Sequence, residues 1–224
     1  MNQTNVRITG QTLLSNNWYL LNKVSFELRR RDGSWQRQER EVYDRGNGAA
    51  ILLYNRARRT MVLTRQFRLP AHLNGHSGFL IEVAAGLLDN ASPEQRIREE
   101  VEEETGYRIG AVHKLYELFM SPGSVTERLH FFIAEYEPSQ RVGDGGGLAA
   151  EGEDIEVLEL GFEQAFAMVK SGEIMDAKTV LLLLHLQLHV AGADSPSDLV
   201  PEARLETGAP GTRMPTAGAR ASSK

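Results

Sequence analysis

Residues 86–107, "GLLDNASPEQRIREEVEEETGY", join a glycine-led loop to a segment that carries the start and stop signals of a helix. Ser92 is a favourable N-cap residue, and Pro93 suits the first helical position. Gln95 completes a Ser-x-x-Gln capping box. Gly106, after Thr, supplies the stop because glycine accepts the left-handed conformation at which helices end. The stretch therefore predicts a helix that begins at Pro93 and ends before Gly106.

The end of this helix is crowded with negative charge, since five of the six residues 99–104 are glutamates. Glu100, Glu103 and Glu104 are three and four positions apart, so they share one helix face. Such crowding costs a few tenths of a kcal/mol per like-charge pair, and anions at a helix C-terminus also oppose its dipole. Oxygen ligands on one face suit a hard divalent cation, and Mg²⁺ is the expected one. A solvated acidic face is the other reading of the same spacing.

Composition restricts the class of protein. The chain has 224 residues and a net charge of -5, which argues against a nucleic-acid surface or an anionic-membrane partner. It has no cysteine, which excludes disulfides, thiolate nucleophiles and cysteine-ligated metals. The N-terminus lacks the layout of a signal peptide, and the longest apolar run, 179–190, suits a buried helix rather than a membrane span. A cytoplasmic location is the default expectation.

The chain divides into three parts. Residues 1–45 form a strand-rich extension in which Asp32-Gly33 sits between two extended runs, a hairpin signal. This extension is too short to fold alone, so it packs on the main body or on a second subunit. Residues 46–190 form the main domain. Residues 191–224 have four of the eight prolines and no aromatic residue, which predicts a disordered tail or, alternatively, a partner-binding segment.

Strands and helices are interspersed in the main domain, which predicts an α/β or α+β sandwich. The predicted strands are 48–55, 60–68, 112–121, 127–137 and 153–162, and the later helices are 162–172 and 177–190. The glycine-rich residues 143–154 are expected to form a flexible loop, and the histidines, including His72 in another loop, are expected to be structural rather than metal ligands.

The acidic helix and its loop resemble the Nudix box, G-x5-E-x7-R-E-U-x-E-E-x-G-U, in which U is an apolar residue. The positions in register are Gly86, Glu100, Val101, Glu103, Glu104, Gly106 and Tyr107. Thirteen residues rather than fourteen separate Gly86 from Glu100. Ser92 or Glu94 stands near the first glutamate position. Glu99 takes the arginine position with Arg98 beside it, so the usual salt bridge of the box loses its usual partners.

Similarity extends along the chain from about residue 10 to 190 and is closest to the GDP-mannose pyrophosphatase branch, near the ADP-ribose pyrophosphatases. Its segments include 40–55, 65–68, 80–90, 119–136, 145–160 and 172–183. The resemblance implies a Nudix α/β/α sandwich with a mixed sheet. It also implies hydrolysis of a nucleotide sugar, GDP-mannose to GMP and mannose 1-phosphate, with Mg²⁺ or Mn²⁺. The alternatives are an ADP-ribose or ADP-sugar pyrophosphatase and a non-catalytic nucleotide-binding module.

The resemblance also implies which residues bind metal and which carry out catalysis. The expected metal ligands are Glu100, Glu104, Glu153 and the carbonyl of Ala85, with Glu103 as an additional or supporting ligand. The expected general base is Glu151 in the late loop, with Glu127 as the competing candidate.

Two cations are expected to hold the phosphates. Arg68 ends a strand, where its planar fork suits bidentate phosphate binding, and a surface ion pair is its alternative role. Lys178 lies at the start of the last helix, and the resemblance implies that it contacts the substrate. Further substrate contacts implied by the resemblance are Trp18, Arg40, Glu41, Ala85, Gly86, Leu87, Glu104 and Glu127. In relatives the N-terminal hairpin is exchanged between two subunits, so a homodimer with sites built from both chains is expected.

Overall fold

The computed structural model describes residues 5–190. Its strands are β1 (Val6–Asn16), β2 (Leu20–Arg29), β3 (Trp35–Asp44), β4 (Gly48–Asn55), β5 (Thr60–Phe67), β6 (Phe79–Glu82), β7 (Ala84–Leu87), β8 (His113–Phe119), β9 (Arg128–Glu135) and β10 (Glu156–Gly161). Its helices are α1 (Leu69–Leu73), α2 (Pro93–Thr105), α3 (Phe162–Ser171) and α4 (Ala177–His189). Within residues 5–190, no helix combines the length and the apolar character needed to cross a membrane. The predicted C-terminal tail lies outside the described residues.

A mixed sheet forms the centre of the main domain. Its order is β10-β5-β4-β9-β8, with β6 beside β5 and β7 beside β4. Strands β4 and β9 run parallel, and the other pairs are antiparallel. Every residue of β4 is buried. A strand that is apolar along its whole length fits this central place because both of its faces are covered.

Hydrophobic cores lie on both faces of the sheet. Leu63 and Phe131 project to the face covered by α3 and α4, where Leu182 of α4 packs against them. On the opposite face, Ile97 and Val101 of α2 pack against the sheet. Both helix residues are completely buried. The layers are therefore helix, sheet and helix, which confirms the expected α/β/α sandwich.

The N-terminal extension forms a separate three-stranded antiparallel sheet of order β1-β2-β3. The predicted hairpin is present: Arg29 pairs with Trp35, and Gly33 in the turn has φ of +88°. Strand β1 completes this sheet beside the two predicted runs. The sheet joins the main domain through Tyr43, whose N–H donates to the carbonyl of Ser124 at 2.8 Å.

Helix α2 has the predicted bounds, Pro93–Thr105, and Gly106 ends it with φ of +75°. Ser92 accepts a hydrogen bond from the N–H of Gln95 at 3.2 Å, as predicted. The second half of the predicted capping box is wrong. The Gln95 side chain instead donates to Glu99 at 3.0 Å, because Glu99 lies one turn ahead on the same helix face.

Two loop predictions need correction. His72 lies in the five-residue helix α1, which has Pro70 in its first turn, rather than in a loop. The glycine-rich residues 143–154 are bonded to the end of α2: the N–H of Gly146 donates to the carbonyl of Glu104 at 2.9 Å. These residues satisfy carbonyls that a helix C-terminus leaves without partners. The late loop is thereby fixed beside the acidic helix.

Candidate active site

A cavity of about 950 Å³ opens where the loop before α2, the ends of β5 and β6, the start of α4 and the late loop meet. The predicted site residues that line it are Trp18, Arg68, Ala85, Gly86, Leu87, Glu100, Glu104, Glu127, Glu151, Glu153 and Lys178. The chain segments that supply them are far apart in sequence. Arg40, Glu41 and Glu103 do not line this cavity.

Carboxylates from α2 and from the late loop line the cavity. Glu100 and Glu104 are 5% and 1% exposed. Burial raises the pKa of Glu100 to about 7, although the nearby Arg96 guanidinium opposes the rise. Burial and the charges of Glu100 and Glu153 raise the pKa of Glu104 well above its ordinary value. Burial therefore disfavours the charged forms of both carboxyl groups.

Gly86 allows Glu100 to approach the loop. A Cβ at this position would lie only 1.7 Å from the Oε1 atom of Glu100, so any other residue would displace the carboxylate. The adjacent Ala85 N–H donates to the Oε2 atom of Glu104 at 3.3 Å. The glycine that begins the box therefore serves close packing of loop against helix.

Because Glu99 stands at the arginine position of the box, the sequence showed no partner for its glutamates; in the structure Arg96 is that partner. Its Nη2 atom lies 2.5 Å from the Oε1 atom of Glu100, one helical turn away, and 3.8 Å from Glu103. Its Nε atom donates to the carbonyl of Leu87 at 3.1 Å. Arg98 points elsewhere, because its Nε atom donates to the carbonyl of Gly110. The spacing of four residues between Arg96 and Glu100 was a signal that sequence reasoning missed.

The donor set fits a hard divalent cation. Glu100, Glu104 and Glu153 are oxygen donors in one cavity, and two of them are buried with raised pKa values, as expected where positive charge is lacking. Among residues 5–190, no three acidic or histidine side chains are already gathered around one point. The Arg96 guanidinium accounts for this at Glu100, because it occupies the oxygen that a cation would use.

Arg68 and Lys178 also line the cavity, and both are paired with Glu82. This carboxylate accepts two hydrogen bonds from Arg68, at 3.0 and 2.8 Å, and one from Lys178 at 2.7 Å. Burial alone would raise the pKa of Glu82, but these cations outweigh it and lower the pKa to about 2. Glu82 is the single charged residue in the apolar run 79–86, a signal that sequence reasoning did not use.

The two candidate bases differ in their surroundings. Glu127 is mostly buried, and its Oε1 atom lies 3.4 Å from the Nε atom of Arg45. Glu151 ends a short 3₁₀ turn and is exposed. Within residues 5–190 it forms no ion pair with a cationic side chain. Glu151 is therefore an exposed carboxylate in the lining of the cavity.

An aromatic rim borders the cavity. Trp18 is 80% exposed and meets Tyr19 edge to face, with ring centroids 6.3 Å apart. The guanidinium of Arg45 lies 5.6 Å from the Tyr19 ring centroid. Exposed aromatic faces at the mouth of a polar cavity suit stacking on a planar ring. Arg45 and Tyr19 carried no signal in the sequence.

Arg40 and Glu41 lie on β3, away from this cavity. Arg40 donates to the carbonyl of Glu39 at 2.7 Å and lines a second cavity, of about 550 Å³, between the N-terminal sheet and residues 119–126. The structure of one chain thus places neither residue at its own site. Their predicted contacts with substrate require the second subunit and stay predictions.

Comparison with known proteins agrees with this geometry. Residues 44–179 match the NUDIX domain, and residues 5–43 match the GDP-mannose pyrophosphatase NudK N-terminal domain. The GDP-mannose pyrophosphatase of Pectobacterium atrosepticum is 58% identical over 181 residues, which cover 80% of this chain and 93% of that protein. That of Klebsiella pneumoniae is 58% identical over 184 residues, 82% of this chain and 92% of that protein.

A solved structure described as an ADP compounds hydrolase shares the fold, with a TM-score of 0.62 and 17% identity over 86% of this chain and 97% of that chain. The matched domains together span nearly all of the described residues. The chain belongs to the Nudix hydrolase family, in the branch that carries the NudK N-terminal domain.

Proposed function

We propose that this enzyme hydrolyses the pyrophosphate bond of GDP-mannose, releasing GMP and mannose 1-phosphate, with Mg²⁺ as its cofactor. The observation that carries the proposal is that one cavity is lined both by the buried carboxylates Glu100 and Glu104 and by the cations Arg68 and Lys178. A diphosphate fits such a lining, since the cations can bind its oxygens directly and the carboxylates reach it through a metal. The relatives named above support the guanine nucleotide sugar as substrate.

Glu100, Glu104 and Glu153 would hold the metal, with the Ala85 carbonyl as a backbone ligand. The chemistry that a divalent cation supplies in such a site is charge neutralisation and activation of water. Arg68 and Lys178 hold phosphate oxygens, so that they stabilise charge that develops as the bond to phosphorus breaks.

Glu151 acts as the general base in this proposal. It accepts a proton from a water whose oxygen bonds to phosphorus, while the bridging P–O bond breaks and the leaving phosphate departs with the electron pair. Glu127, held by Arg45, orients the substrate. A general base contributes about 10²–10⁴ in rate, so Glu151→Gln should lower kcat by that factor. If Glu127→Gln causes the larger loss in kcat, the roles are reversed.

A homodimer with exchanged N-terminal strands is the assembly we propose. Apolar side chains on β1, such as Val6, Ile8 and Leu13, are 45–64% exposed in the single chain. An exposed apolar surface of this kind fits a subunit interface. Light scattering after gel filtration should give the dimer mass, and deletion of residues 1–45 should give an inactive monomer. A monomeric full-length protein would contradict this assembly. The cytoplasmic location stays a prediction that cell fractionation checks.

Product analysis tests the reaction itself. GDP-mannose, ADP-ribose and ADP-mannose are incubated in parallel with Mg²⁺ and then with EDTA. Faster, metal-dependent release of GMP supports the proposal, whereas a predominance of AMP moves the base preference to adenine. No nucleoside monophosphate from any substrate refutes it.

Matched glutamine variants on α2 test the metal ligands. Glu100→Gln and Glu104→Gln should each abolish most turnover. Glu102→Gln should not, since Glu102 is exposed and paired with Arg108 outside the cavity. Equal turnover in all three variants would contradict the ligand assignment.

A further inference from the structure

Glu82 is a buried carboxylate shared by two cations that come from separate parts of the chain. Its side chain is 2% exposed, and it lies at the end of β6. Arg68 follows β5, the neighbouring strand, while Lys178 lies in the first turn of α4. The register of the sheet and the docking of α4 bring the three charges together. All three residues line the cavity.

The geometry of Arg68 shows what this sharing does. Its Nε and Nη2 atoms both bond to Glu82, so one edge of the guanidinium is fully used. The other edge, with Nη1 and the second hydrogen of Nη2, remains for a ligand. The Arg68 side chain is 40% exposed, which leaves that edge accessible. The bidentate bond to Glu82 fixes the plane of the group, since a planar fork bonded at two points cannot rotate.

Lys178 is held from the other side. Its Nζ atom lies 2.7 Å from Glu82 and 3.0 Å from Asp176, the N-cap residue of α4. The cap itself is anchored to the residue that follows β6, because Thr179 accepts a hydrogen bond from the N–H of Val83 at 2.9 Å and donates to Asp176 at 2.6 Å. The ammonium group therefore has a fixed position beside the guanidinium.

We propose that Glu82 is a positioning residue, which holds Arg68 and Lys178 as a preset two-cation cradle for the diphosphate. This inference rests on the proposed function. Without Glu82 the positive charges of Arg68 and Lys178 would repel each other. The two side chains would then have to become ordered while the substrate binds, which weakens binding. Glu82 need not touch the substrate, because it acts through the two cations.

A purely structural ion pair is the competing explanation, in which Glu82 only ties β6 to α4. The two explanations differ in what a folded variant can do. A structural role predicts lower stability with unchanged ligand binding. A positioning role predicts weaker binding of phosphate groups in a protein that is still folded.

The experiment measures binding of inorganic pyrophosphate by calorimetry in EDTA, where no metal contributes. Its variants are Glu82→Gln, Arg68→Gln and the control Glu159→Gln, which removes an ion pair with Arg58 on another part of the sheet. Hydrogen bonds to charged groups correspond to losses of about tenfold or more in affinity. We expect Glu82→Gln to weaken binding by about that factor, as Arg68→Gln does, and Glu159→Gln to leave it unchanged.

Kinetics with GDP-mannose and Mg²⁺ provide the second readout, in which Glu82→Gln should lower kcat/KM by a similar factor. Wild-type affinity for pyrophosphate in Glu82→Gln, tighter binding, or no pyrophosphate binding to the wild-type enzyme would each overturn the inference. If Glu82→Gln does not fold, Glu82→Asp keeps the charge but is one methylene shorter, and it is subject to the same criteria. Failure of the proposed function can be distinguished from failure of this inference. A protein that binds pyrophosphate but cleaves no nucleotide sugar would contradict the proposed function, and the binding experiment would still test the cradle.

Discussion

Raising the pH from 5 to 8 in EDTA should destabilise this protein, and Glu100 is the residue that we expect to contribute most clearly. Its pKa is about 7 in the folded chain against 4.5 ordinarily, because burial disfavours the charged form. Between these values the folded protein binds more protons than the unfolded chain, so the free energy of unfolding falls as pH rises. The pKa difference between 4.5 and about 7, at about 1.4 kcal/mol per pH unit, corresponds to a loss of about 3 kcal/mol in the free energy of unfolding.

Other titrating groups add to this trend, act outside it or oppose it. The raised pKa of Glu104 acts in the same direction. Glu82 has a pKa of about 2, so its stabilising contribution is lost only below pH 4.5. Burial lowers the pKa values of His130 and His185, and both therefore oppose the trend below pH 6.5. A variant of Glu100 is needed to separate its contribution from theirs.

Urea unfolding of the wild type and Glu100→Gln provides that comparison. Circular dichroism at fixed protein concentration is the suitable signal, because both tryptophans, Trp18 and Trp35, lie in the N-terminal region rather than in the main core. Between pH 5 and pH 8, the free energy of unfolding of the wild type should fall by about 3 kcal/mol more than that of Glu100→Gln. Mg²⁺ at 100 times its dissociation constant should restore about 2.7 kcal/mol to the wild type at pH 8. Equal pH dependence of the two proteins would refute the reasoning.

Three further substitutions test other parts of the structure. Gly86→Ala should lower kcat/KM by about 10²-fold, since its Cβ displaces Glu100 and misplaced catalytic groups carry losses of that order. Arg96→Gln should tighten Mg²⁺ binding by about tenfold, because it removes the charged hydrogen bond that occupies one oxygen of Glu100, with Arg98→Gln near wild type. Leu182→Ala should lower the free energy of unfolding by about 2–5 kcal/mol in urea titrations, because this side chain is completely buried.

Local structure and chemical class could be predicted from the amino-acid sequence alone. Helix α2 begins and ends where Pro93 and Gly106 predict, because capping and glycine conformations depend only on neighbouring residues. Strand β4 has its predicted bounds since a continuous apolar run is typical of a strand buried on both faces. The spacing of the glutamates on α2 predicted that Glu100 and Glu104 share one face, and both line the cavity. Spacings of three and four residues are likewise local properties.

Only the tertiary structure decided which charges meet. Glu82 shares Arg68 and Lys178 across 14 and 96 positions of sequence. Arg45 reaches Glu127 in the same way, through the packing of one segment on another. Arg96 was close enough in sequence to be found, but its bond to the Leu87 carbonyl needed the folded loop. Long-range pairs of this kind depend on the register of the sheet and on how the helices pack against it. Contacts across the whole core set both, so no local sequence pattern predicts these pairs.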